Sequence, residues 1–122
     1  MEISQLVEEA GKLQEAKAYC FPELANEIAA IELKFQYLSC VISILEDNDE
    51  IELAKYSDLS ALNESDAKLI FHKCVGHELA WCWSMVNNQG YSDALKFQFQ
   101  NNVAFELVVM ASAIMQLTVN EL

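Results

Sequence analysis

Between His72 and Cys82 the chain places four side chains that can bind a metal ion: His72, Cys74, His77 and Cys82. A zinc site needs ligands that converge as a tetrahedron, and sequences achieve this with Cys-x2-Cys or His-x3-His pairs. No such pair is present. Positions 72 and 74 fall on different sides of a helix. The expectation is therefore no metal and no cofactor, with two buried thiols and two histidines near a helix C-terminus, where partial positive charge is favoured. No phosphate-cradling loop and no nucleophile set beside a base can be read either, so an enzyme is not expected.

Two further stretches carry distinctive chemistry. Trp81-Cys82-Trp83 leads into a polar loop, Asn87-Asn88-Gln89-Gly90-Tyr91-Ser92-Asp93. On one reading the tryptophans are core, grouped with Leu79 and Met85, and the loop amides satisfy their own backbone. On the other, Trp83, Asn87, Gln89, Tyr91 and Asp93 line a recognition site for a small ligand, since loops on rigid scaffolds often carry function. The pattern resembles an uncharacterised group of small bacterial proteins in which a Trp-x-Trp strand runs into an Asn-x-Gln-Gly-Tyr-x-Asp loop. That resemblance implies a strand before the loop and no particular activity. Glu8, Glu9 and Glu15 look like part of the acidic helices of nucleotide pyrophosphohydrolases, but position 12 is Lys, which breaks the Glu-Glu-x-x-Glu pattern.

Glu46, Asp47, Asp49, Glu50 and Glu52 form an acidic knuckle without a basic residue among positions 46 to 52. The glycine and distal Glu of an EF-hand loop are missing, which leaves a solvated hairpin tip or a docking surface for a basic partner. The knuckle by itself reads more simply as the first, and the charge of the whole chain motivates the second. Nineteen acids face seven lysines for a net charge of −12, and residues 1–65 hold fourteen of the acids and four of the lysines. Such a field repels nucleic acid and anionic membrane and attracts basic proteins. The leading expectation is a non-enzymatic acidic interaction protein that binds a basic protein partner, as an immunity or inhibitor protein binds a basic toxin. The small-ligand module is the alternative.

The elements that must position these groups follow from periodicity. Ile3, Leu6, Val7, Ala10 and Leu13 make a helical stripe, predicting a helix over 1–19 that Pro22 ends. Ser65 as N-cap and Gly76 as stop predict a second, short helix. Elsewhere apolar residues alternate: Ala29 to Phe35, Cys40 to Leu45, Ile51 to Leu53, Leu79 to Met85, and Leu95 to Phe99, which a turn at Asn101-Asn102 joins to Val103 through Val109. Leu33-Lys34-Phe35-Gln36 recurs as Leu95-Lys96-Phe97-Gln98 at an offset of 62. Beyond it, Val41 and Leu45 match Phe105 and Val109, and Ile51 and Leu53 match Met115 and Leu117, at an offset of 64.

The expected fold is α+β: one domain over 1–122, built of two pseudo-repeats, about 1–60 and 61–122. Each is a helix followed by an antiparallel meander, with both helices on one sheet face. An all-α four-helix bundle is the alternative, since 21–46 and 92–122 are long enough and rich in Ala and Leu. Four cysteines without paired spacing, and no leader, predict reduced thiols in a cytoplasmic protein. Exposed edge strands and a 53% apolar composition predict a homodimer. No membrane span is expected, because the apolar run from Val103 to Val119 is short and contains Glu106 and Gln116.

Overall fold

The computed structural model describes residues 1–45 and 49–119. Among these residues strands dominate, arranged in two antiparallel sheets that share one core, with a single short α-helix; this is not a helical bundle. The helix α1 spans Ile3–Glu9, with Leu6 buried. Gly11 ends the apolar helical stripe. Its φ is +77°, and a Cβ there would lie 2.9 Å from the Gln36 and Tyr37 side chains, so only glycine lets the chain leave the helix in that direction. The predicted helix over 1–19 is therefore corrected: its second half is strand β1, Leu13–Cys20, in which Ala16, Ala18 and Cys20 face inward.

The first sheet adds β2 (Ala30–Phe35), β3 (Ser39–Ile44), β4 (Ile51–Ala54) and β5 (Asn63–Ser65), in the order β4-β3-β2-β1-β5. The second is a plain meander of β6 (Leu79–Val86), β7 (Ser92–Phe99), β8 (Ala104–Met110) and β9 (Ala113–Thr118). The second predicted helix is also corrected. Ser65 lies in β5, and its hydroxyl accepts the Ala67 N–H at 3.1 Å in a local turn, the same hydrogen-bonding ability that makes serine an N-cap. Only a five-residue 3-10 helix follows, Ile70–Cys74. It is latched to β1 by His72, whose Nδ1 accepts from the Leu69 N–H at 3.2 Å while Nε2 donates to the Ala16 carbonyl at 2.9 Å. It buries Phe71 at the centre of the core, edge-on to Phe97, Phe99 and Phe105 at 5.1, 6.1 and 4.8 Å.

The two meanders open alike. Leu13 is opposite Phe35 and Leu79 opposite Phe99, and in each first strand one extra residue follows the leucine, so the register slips before Glu15 and before Trp81. Such a bulge flips every later side chain to the other face. In β6 it leaves Leu79 in the core but sends Trp81 and Trp83 outward, 60% and 41% exposed. The reading of the tryptophans as core residues beside Leu79 is corrected accordingly. The matched residues of the two halves slip as well. Phe105 faces the core, whereas Val41, paired with Glu32, sits on the outer face of its sheet. Ile51 is buried, whereas Met115 and Leu117 are exposed.

Candidate functional site

The outer faces of the two sheets differ in kind. On the first sheet, Glu15, Lys17, Glu32 and Lys34 interleave, Lys17 pairs with Glu15 and Glu64 at 3.5 and 3.4 Å, and Lys34 with Glu15 at 3.6 Å. These are solvated pairs of small energetic weight. On the second sheet, Trp83, Lys96, Glu106 and Leu117 form one row across the four strands, and Met85, Ala94, Val108 and Met115 the next. Trp81 stacks on Trp83 at 6.2 Å, and the Lys96 ammonium lies 5.1 Å from the Trp83 ring centre. Met115 and Leu117 are 45% and 44% exposed. This apolar sheet face is open.

Strand order gathers acidic residues at one end. The connection 21–29 lies against the β8–β9 turn, where the Ile114 N–H donates to the Ile28 carbonyl at 2.8 Å. The β3–β4 turn reaches the same place, with the Ser112 hydroxyl donating to Asp49 Oδ1 at 3.2 Å. Two clefts flank the connection. One, of about 510 Å³, is lined by Glu27, Ile28, Met110 and Met115 among others. The next, of about 440 Å³, shares Asn26 and Ala67 with it and is lined by Glu64 and Asp66. Among the described residues no basic side chain lines either cleft. A smaller hollow of about 180 Å³ sets Asp49 beside Phe21 and Ile44.

Of the knuckle residues, Glu46 and Asp47 lie outside the described residues. Asp49 and Glu52 are exposed and Glu50 is partly buried. Asp49 has φ of +52°, the conformation that a tight turn demands. Glu27, Glu64 and Asp66 were not singled out in the sequence, because only the folded chain brings them beside this turn.

The Asn87–Asp93 loop is the β6–β7 turn. Asn87 Oδ1 accepts the N–H groups of Gln89 and Tyr91 at 2.9 and 3.2 Å, and its Nδ2 donates to Asp93 Oδ2 at 3.3 Å. The structure thus brings Asn87 and Asp93 together, while Gln89 stands exposed near the tip and Trp83 belongs to the open sheet face. The amide shapes the turn. Asn87→Ala should lower stability by about 1 kcal/mol in urea titration, since it strips the acceptor from two turn N–H groups. An unchanged midpoint would show that water replaces the side chain fully.

Burial pushes the thiols up: Cys40 to about 12, helped by its neighbour Cys82, Cys82 itself to about 12 and Cys74 to about 11. All four cysteines are free. Among the described residues no group of three or more His, Cys, Asp or Glu side chains is placed to hold a metal ion, and no helix is long and apolar enough to cross a membrane.

These features define a small two-sheet antiparallel protein with one open apolar face and one acidic end. The chain belongs to a family of unknown function, DUF6334, whose model matches residues 1–121. No curated protein and no solved structure matches it.

Proposed function

We propose that this protein acts by binding rather than catalysis, and that its acidic end docks a basic protein partner in the manner of an immunity or inhibitor protein. The observation that carries this reading is the convergence of Glu27, Asp49, Glu64 and Asp66, from three separate segments, around clefts lined by Phe21, Met110 and Met115. Acids around apolar recesses suit a partner that presents lysines or arginines beside an apolar anchor, and complementary fields speed such encounters and reject wrong partners. The knuckle residues Glu50 and Glu52 extend the same field.

The test is capture of a partner from the native host, compared across salt concentrations, with a Glu27→Lys/Glu64→Lys/Asp66→Lys variant beside the wild type. A basic protein should bind the wild type at low salt, elute as salt rises, and lose at least about tenfold in affinity to the variant. Equal binding by both chains would overturn the assignment of the site. The small-ligand alternative at Trp83, Asn87, Gln89, Tyr91 and Asp93 has less support, because the Asn87 side chain is already engaged by its own turn. We also read the two meanders, each opened by a leucine and a bulge, as copies of one unit. In this reading a cytoplasmic setting suits the four reduced thiols.

A further inference from the structure

We infer that the open face of the second sheet is the contact through which two copies of this chain form a two-fold dimer, sheet against sheet. The strand positions paired across it carry only two charged residues, Lys96 and Glu106, of opposite sign, in a chain of net charge −12; Asp93, at the bulge where β7 leaves its turn, is bonded to Asn87. Every other outward position paired across this sheet is uncharged. For two such acidic molecules to meet, the approach that keeps their acids apart is the one through a neutral face. The first sheet's outer face, with Glu15, Glu32, Glu52 and Glu64, cannot offer that.

The charge pair is also self-complementary. Lys96 and Glu106 are cross-strand neighbours near the middle of the face. A two-fold axis between them sets each Lys96 opposite the partner's Glu106, which is the pairing a symmetric contact requires. Around them stand Trp81, Trp83, Met85, Val108, Met115 and Leu117. Aromatic and methionine side chains around a sparse polar centre are what interface cores are enriched in. Four strands about 4.8 Å apart and about seven residues long cover on the order of 400 Å² in projection. Side chains standing off the sheet add to that figure, and the ~800 Å² per partner of a standard interface is the area the contact is measured against.

Trp81 and Trp83 are the chain's two tryptophans, so selectively excited tryptophan emission reports this face alone. Sedimentation equilibrium and emission spectra should be recorded over a dilution series at low and moderate salt. The expected result is a dimer at micromolar concentration whose Kd falls at least about threefold with added salt, as like charges are screened, and whose emission shifts to the red on dissociation. Lys96→Glu and Glu106→Lys chains should each be monomeric, and mixing them should restore a one-to-one dimer. Trp81→Ser/Trp83→Ser should be monomeric yet melt close to the wild type diluted to monomer, because neither ring fills the core. A wild-type monomer at both salts, a dimer that survives the double tryptophan variant, or no pairing of the two charge variants would each overturn the inference. So would a wild-type monomer whose tryptophans are covered only when a basic protein binds. The acidic-end reading stands or falls separately, since its partner binding weakens with salt where the dimer strengthens.

Discussion

Phe71→Ala is expected to destabilise the protein by about 3 to 5 kcal/mol, the usual cost of emptying a phenylalanine-sized space in a packed core. The ring is fully buried and meets three other phenylalanines edge-on, so both its transfer energy and its aromatic contacts are lost. It also ties the 3-10 helix, and through His72 the first sheet, to the second sheet. In urea titration the midpoint should fall steeply with little change in slope, and the thermal midpoint should drop by more than 10 °C or so. The matching control is Trp83→Ala, expected to cost under about 1 kcal/mol in the monomer. Equal losses for the two would mean that the second sheet's faces are assigned the wrong way round.

The second large effect is loss of stability in alkali. Thiols in the unfolded chain ionise near 9, whereas burial holds Cys40 and Cys82 near 12. The unfolded state therefore releases protons that the native state keeps once pH passes 9. A raised folded pKa stabilises fully below the unfolded value and progressively less as pH climbs toward the folded one. Each of these two thiols should remove about 1.4 kcal/mol per pH unit through that window. Cys74, raised to about 11, and Tyr19, raised first by desolvation, act in the same direction. Unfolding free energy measured from pH 8 to 11 should fall with a slope that Cys82→Ala reduces. A flat profile above pH 9 would refute the burial of the thiols.

The strands that could be read from the sequence were those whose apolar alternation had no competitor. In β7, Leu95, Phe97 and Phe99 point inward and Lys96 and Gln98 outward, and Asn102 takes the positive φ of +66° that the turn after it needs. β1 was hidden because Leu13 extends the helical stripe of α1, and the small Ala16 and Ala18 add only a faint period of two. The tryptophans were misplaced for a subtler reason. The chain alternates evenly through β6, but a bulge is set by the partner strand, and nothing in Leu79-Ala80-Trp81 records which residue Phe99 and Gln98 will oppose. The knuckle was visible as a run of acids, whereas Glu27, Glu64 and Asp66 could not be joined to it without the strand order. The Asn87 turn was half legible: the type of residue announced a turn, and only the fold assigns its amide to Gln89, Tyr91 and Asp93.

The strand order of the two sheets also bears on how the chain reaches this structure. Every pairing in the second sheet joins neighbours in sequence through a short turn, so its hairpins close at little entropic cost and can form early. The first sheet builds β1 to β4 in the same way, but its last strand is different. β5 must return across the intervening strands to lie beside β1, bringing Asn63 to Cys20. With three residues and a long loop to close, it is the pairing best suited to form last and to open first. Glu64 belongs to that strand and Asp66 follows it, so the acidic end is complete only once that pairing has closed.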